Sequence, residues 1–280
     1  MCATAMSATG IVALGANVAQ AQTRETVRDE TVVVKSAESG APTPQTPAPA
    51  SVQDPDSLRH RLTVSVLFGI DNSFSGKVLQ DGSGVLQNVP INLTETSYDD
   101  IYGRMGLFKI GVGYRVSPRS EATVNFVISR SSSEPTNVGT AGTANQAVIA
   151  SFDDYNYWGF EGGQRFFFTR VRFTPFVGYF VGINRFDAIN ADFVALPTGS
   201  QPGIVVDNGQ FFDSSWAFSF GPTGGVLVGV GPIEVMGEVA FRYMGGLSDV
   251  DPLSEAGLRD INSESSRWSF PILVGARIRF

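Results

Sequence analysis

Ten charged side chains carry most of the chemistry this sequence offers: Lys109, Arg115, Glu121, Glu161, Arg165, Glu234, Glu238, Arg242, Arg277 and Arg279. Each stands at an alternate position of an extended stretch, opposite a row of apolar residues, with glycine and serine between them. Charges drawn out of bulk water must be paired or solvated, because an isolated buried ion is very costly. The pattern predicts an internal network in which Glu234, Glu238 and Glu161 meet Arg242, Lys109 and Arg277. Arg115, Arg279 and Glu121 are expected nearer one mouth of the enclosing structure. Such a network can plug an interior, or it can line a narrow ion path.

Other chemistry is sparse. The chain has one histidine, His60, and one cysteine, Cys2, so no intrachain disulfide can form and few metal or nucleophile options exist. His60 has no serine or acid at a recognisable catalytic spacing and reads as a solvated residue at the edge of the first strand. "GPTGGVLVGVG" imitates a nucleotide loop but lacks G-x-x-x-x-G-K-[ST]. "SDVDPLSEAGLRD" has acids near calcium-loop spacing without the full EF-hand pattern. No catalytic, cofactor-binding or metal residue is expected, although the acidic connections could attract divalent ions weakly. A net charge of −7 disfavours a nucleic-acid partner.

The elements that position the ten charges have a period of two, the period of a strand. Leu62, Val64, Val66, Phe68 and Ile70 share a face, as do Phe108, Ile110, Val112 and Tyr114, then Ala122, Val124, Phe126 and Ile128. "YWGFEGGQRFFF" sets Trp158, Phe160, Phe166 and Phe168 against Glu161 and Arg165, though Gln164 falls on the apolar side. "TPFVGYFVGINRF", "SWAFSFGPTGGVLVGV" and "IEVMGEVAFRY" follow the same rule. In the last stretch, "WSFPILVGARIRF", Phe270, Ile272, Val274, Ala276, Ile278 and Phe280 oppose Arg277 and Arg279.

The connections between these eight stretches alternate short and long. "SPRS", the residues around Thr169-Arg170, and "GP" are short. The others span about Asp71–Asp100, Ser131–Asp154, Asp187–Ser214 and Gly245–Ser266, and they hold 17 acids against Lys77 and Arg259. Trp158, Trp216 and Trp268 each open a strand that descends from a long connection, all on the apolar side. One ring at a membrane interface, an outer aromatic girdle, accounts for that shared height. Phe280, Phe168, Phe166 and Tyr114 would sit near the opposite interface.

Charged residues make up 17% of the chain, below the roughly 25% of ordinary soluble domains. Glycine, at 31, and phenylalanine, at 21, are both abundant. No run approaches the roughly 18 apolar residues of a spanning helix, which leaves a closed barrel as the membrane-crossing solution. Residues 1–21 read as a signal peptide, with Ala19-Gln20-Ala21 as its cleavage pattern but no basic residue before the apolar stretch. Residues 22–58 read as a disordered Pro/Ala-rich periplasmic linker, in which "TVVVK" is the only strand-like piece. Residues 59–280 hold the barrel. "GVLQNVPINL" could add a hairpin to make ten strands, or could extend above the membrane.

This architecture and its terminal strand resemble the small eight-stranded outer-membrane barrels of Gram-negative bacteria, the OmpA/OmpX-like and opacity-type porin family, over about residues 59–280. The resemblance implies an all-β fold: an eight-stranded antiparallel up-and-down transmembrane β-barrel with short periplasmic turns and long extracellular loops. It implies outer-membrane localisation with both termini on the periplasmic side. Phe270, Ile272, Val274, Ala276, Ile278 and Phe280 match the terminal assembly signal read by the barrel assembly machinery, with Ile278 where an aromatic is often found. The implied partners are outer-membrane lipid and lipopolysaccharide, with periplasmic chaperones during biogenesis, and the expected state is a monomer. The C-terminal peptidoglycan-binding domain of longer OmpA proteins is not expected. The implied function is non-enzymatic: envelope integrity or surface interaction through acidic loops. A small porin-like channel is the alternative, and a lipid-modifying enzyme a distant one.

Overall fold

The computed structural model describes residues 61–280, apart from 87, 170, 200–202, 251, 252 and 254–256. The signal peptide, the linker, Cys2, His60 and Arg170 lie outside the described residues. The chain runs through β1 (Leu62–Ser75), β2 (Lys77–Leu79), β3 (Gly82–Leu86), β4 (Val89–Leu93), β5 (Thr96–Ser97) and a short helix, α1 (Tyr98–Tyr102). It continues through β6 (Arg104–Ser117), β7 (Ser120–Arg130), β8 (Thr136–Ala141), β9 (Gln146–Phe152), β10 (Tyr157–Phe167) and β11 (Phe173–Phe186). The remaining strands are β12 (Ile189–Ala195), β13 (Ile204–Asp213), β14 (Trp216–Val230), β15 (Ile233–Ala240), β16 (Arg242–Met244), β17 (Ser248–Asp249) and β18 (Arg267–Arg279).

Eight staves close into an antiparallel barrel in the order β1, β6, β7, β10, β11, β14, β15 with β16, and β18. The ring shuts where β1 meets β18, with Val64 opposite Ile278 and Ile70 opposite Ile272. Closure removes the edges that an open sheet would expose. The seventh stave is split in two, and its neighbours explain why. The registers on either side set Pro222 opposite Phe241 and Pro271 opposite Ala240. A proline cannot donate to the ladder, so hydrogen bonding lapses there. The Phe241 N–H still donates to the Pro222 carbonyl at 3.0 Å.

The wall is inverted relative to a soluble protein. Outward positions are apolar and uncovered, with Phe68 61% and Val124 62% exposed, whereas Glu121, Glu161 and Arg277 inside are buried. Gln164, the polar residue on the outward side, is held by Ser120 Oγ at 2.6 Å and by the Tyr179 hydroxyl at 3.2 Å. The interior is not wholly polar. Leu67, Leu107, Val127, Phe176, Phe180, Leu227 and Leu273 also point inward and are buried.

The long connections are folded. A seven-stranded sheet runs β17-β13-β12-β9-β8-β4-β3, and β2 pairs with β5. "GVLQNVPINL" supplies the β3–β4 hairpin, which pairs with β8 and joins this extension, not the barrel. The β9 and β12 strands alternate as the staves do. Gln146, Val148, Ala150 and Phe152 are buried along β9, and Ile189, Ala191, Phe193 and Ala195 along β12. The rings of Phe152, Phe193 and Phe211 meet at 5.3 to 6.0 Å, giving the extension an apolar core of its own. Ile261 and Asn262 tie the two ends of this sheet together. Ile261 accepts from Gln80 N–H at 2.6 Å, and Asn262 donates to the Phe211 carbonyl at 2.6 Å.

Candidate functional site

Alternation alone turns the charged residues of each stave inward, and neighbouring staves then bring opposite charges into contact. Glu161 on β10 lies between Lys109 of β6 at 3.1 Å and Arg242 of β16 at 2.7 Å. Glu238 on β15 lies between Lys109 at 2.9 Å and Arg165 of β10 at 2.8 Å. Arg165 reaches Glu121 at 3.5 Å, and Arg277 of β18 grips both oxygens of Glu121 at 2.8 and 2.9 Å. Glu234 takes Arg277 and Arg279 together. Arg115, near the same end, stacks over Phe167 at 5.9 Å.

Two members of this column fall outside the ten charges singled out from the sequence. Asp71 is fully buried and accepts from Arg267 at 3.4 Å, with Arg242 at 3.6 Å. The sequence puts Asp71 among the acids of the first long connection, but in the structure it belongs to β1 and lies inside the barrel. β1 runs on to Ser75, so Asp71 keeps the parity of Thr63 and Ser65 and faces inward. The same parity along β18 puts Arg267 in line with Ser269 and Arg277, all buried. The resulting column runs Arg267, Asp71, Arg242, Glu161, Lys109, Glu238, Arg165, Glu121, Arg277, Glu234, Arg279.

Apolar inward residues complete the solvation of these ions. Lys109 and Arg242 both sit over the Phe180 ring, at 5.7 and 5.4 Å, and Arg165 sits over Phe176 at 5.5 Å. A ring face attracts a cation and excludes water. Glycine makes room for the carboxylates: a Cβ at Gly113 would lie 2.8 Å from the Glu121 carboxyl carbon, closer than packed atoms stand.

A tyrosine cluster covers the long-connection end of the column. Ser97 caps α1 by accepting from the Asp100 N–H, and the helix delivers Tyr98 and Tyr102 against Tyr155 with ring centroids 5.4 and 5.3 Å apart. Arg267 stacks on Tyr98 and Tyr155 at 5.6 and 4.9 Å. Burial pushes the Tyr98 hydroxyl well above its usual range and the Tyr155 hydroxyl up to about 12, so both stay neutral. Tyr98 donates to the Ser265 carbonyl at 2.8 Å, fastening the cover to the last long connection.

On the outward side, Trp158 and Trp216 meet edge to face at 5.5 Å, while Trp268 joins Phe220, Phe241 and Tyr243 in a second aromatic group. Phe270, Ile272, Val274, Ala276 and Ile278 are exposed along β18, with Phe280 just beyond it. A groove of about 690 Å³ lies where the wall meets the extension, lined by Phe126, Ile128 and Trp158 together with Arg130, Asn156 and Asp187. The extension's surface is acidic, with Asp81, Asp99, Glu134, Asp192 and Asp249 all exposed. Its one lysine, Lys77, bridges Glu95 at 2.9 Å and Glu264 at 3.6 Å, and hydrogen bonding to Glu95 raises its pKa. Among the described residues, no cluster of three or more His, Cys, Asp or Glu side chains is arranged to hold a metal ion.

No family model and no curated protein matches the sequence. Solved structures do match. Neisserial surface protein A is 13% identical, with a TM-score of 0.43, over 79% of this chain and 97% of that one. Ail, the attachment invasion locus protein of Yersinia pestis, is 12% identical, with a TM-score of 0.35, over 79% and 99%. Outer membrane protein H of P. aeruginosa is 13% identical, with a TM-score of 0.34, over 79% and 99%. The closed eight-stranded antiparallel barrel itself rests on this chain's own strand pairing, from β1 round to β18.

Proposed function

We propose that the protein is a non-enzymatic, non-conducting barrel of a bacterial outer membrane that serves envelope integrity or surface interaction through its acidic extension. The observation that carries this reading is the union of a filled, ion-paired lumen with a folded, acidic extension at one end only. The lumen's charges are spent on one another, and the tyrosine cluster covers one end of the column. What remains available to a partner is the outer surface of the extension and the groove beneath it. In this reading lipid covers the apolar wall, and lipopolysaccharide lies against the Phe126–Trp158 groove, with Arg130 near its phosphates. Phe270, Ile272, Val274, Ala276, Ile278 and Phe280 form the strand read by the assembly machinery. Both chain ends then fall on the periplasmic side.

The test is site-directed labelling on intact cells in a Cys2→Ser background. Thr143→Cys sits in the exposed β8–β9 turn, and Ser117→Cys ends β6, where it enters the short turn to β7. A membrane-impermeant maleimide should label Thr143→Cys on intact cells and Ser117→Cys only after the outer membrane is opened. Labelling of Ser117→Cys on intact cells, with Thr143→Cys protected, would contradict the orientation and the surface role together.

A further inference from the structure

The short-turn end of the barrel carries a ring of arginines whose counter-charges are hidden. Arg61 precedes β1, Arg119 lies in the turn between β6 and β7, and Arg172 lies in the turn between β10 and β11. Arg115 and Arg279 stand just inside them. The acids of that end, Glu121 and Glu234, are buried and engaged with Arg165, Arg277 and Arg279. Among the described residues no exposed Asp or Glu side chain borders this rim, whereas the opposite end is strongly acidic.

The rim is held in place. Each of its three outermost arginines accepts, through its backbone carbonyl, a hydrogen bond from a strand: Arg61 from Arg115 at 2.8 Å, Arg119 from Phe167 at 2.9 Å and Arg172 from Gly229 at 2.8 Å. Directly beside it runs an uncovered apolar belt, with Val116, Phe168, Val171, Phe173 and Phe280 all more than half exposed. Arg61 also donates to the Tyr114 hydroxyl at 3.3 Å, which ties the charged rim to that belt. Guanidinium groups bordering an apolar band match a lipid headgroup layer, with stems along the chains and planar forks at the phosphates. Lysine is absent from the described part of this rim, and arginine is the side chain whose fork binds phosphate bidentately.

We propose that Arg61, Arg119 and Arg172 form a selective contact for anionic phospholipid headgroups in the leaflet at the short-turn end. The proposal rests on the membrane reading above, and the experiment separates the two. The full chain is refolded into phosphatidylcholine vesicles with and without phosphatidylglycerol, and insertion is scored by heat-modifiable gel migration. Relative association of spin-labelled phosphatidylglycerol and phosphatidylcholine is then read by electron paramagnetic resonance. The wild type should select phosphatidylglycerol, each arginine contributing up to about fivefold. The triple variant Arg61→Gln/Arg119→Gln/Arg172→Gln should insert but lose the preference, and Lys77→Gln, at the other end, should keep it. High salt should weaken the wild-type selectivity. Insertion with equal association of both lipids, or selectivity unchanged in the triple variant, overturns the rim contact alone. Failure of the wild type to insert into either vesicle overturns the membrane reading and the rim contact with it.

Discussion

Glu161→Gln is expected to destabilise the barrel by about 3–5 kcal/mol, the usual cost of stripping one partner from a buried ion pair. The side chain is 1% exposed and holds two cations at once, Lys109 at 3.1 Å and Arg242 at 2.7 Å. Glutamine keeps the volume, so the loss is one of charge. It leaves a buried lysine and a buried arginine without the carboxylate between them. Lys109 would retain Glu238, and Arg242 would retain the Tyr157 hydroxyl at 2.8 Å, which limits the damage without removing it. The double variant Glu161→Gln/Lys109→Met should recover much of the stability, because it removes the surplus cation together with its partner. Arg165 still serves Glu238 at 2.8 Å in that variant. Denaturant titration followed by heat-modifiable migration measures both. A single variant within about 0.5 kcal/mol of wild type, the range of ordinary surface changes, would show that the column contributes little.

Phe193→Ala should have a comparably large but local effect. Phe193 is fully buried in the extension, with its ring 6.0 Å from Phe152 and 5.8 Å from Phe211. Truncating a buried phenylalanine costs about 3–5 kcal/mol, from lost transfer energy and the cavity left behind. The staves do not depend on that core, since their ladders close through β1 and β18. The expected result is a barrel that still migrates as folded while protease cuts the connections near Phe193. Loss of heat-resistant migration together with the extension would mean that the two fold as one unit.

The barrel was legible because its signal is redundant. Leu62 to Ile70 and Phe270 to Phe280 alternate cleanly, and short connections such as Gly231-Pro232 separate staves that must then be antiparallel neighbours. The extension was less legible, although the same period is written in "QAVIASF" and "INADFVA". Those stretches are short and lie inside segments whose acids and glycines mark them as connections. Asp71 is hidden in the sequence for a related reason: β1 keeps its parity beyond the last obvious apolar residue, Ile70, so Asp71 faces inward. Leu67 and Phe180 illustrate a further limit. Period two assigns a residue to a face but does not say whether that face holds water, ions or apolar side chains, and here it holds ions packed on rings.

Planar-bilayer conductance of the refolded protein bears most directly on whether the lumen is shut. With Glu161, Glu238 and Glu121 each gripped by two or more cations and tyrosines over one end, the wild type should show no stable openings. Glu161→Gln should introduce brief, irregular openings as the column loosens. Stable unitary openings in the wild type that disappear on charge reversal at Glu238 or Arg242 would contradict a sealed lumen and make the barrel a channel.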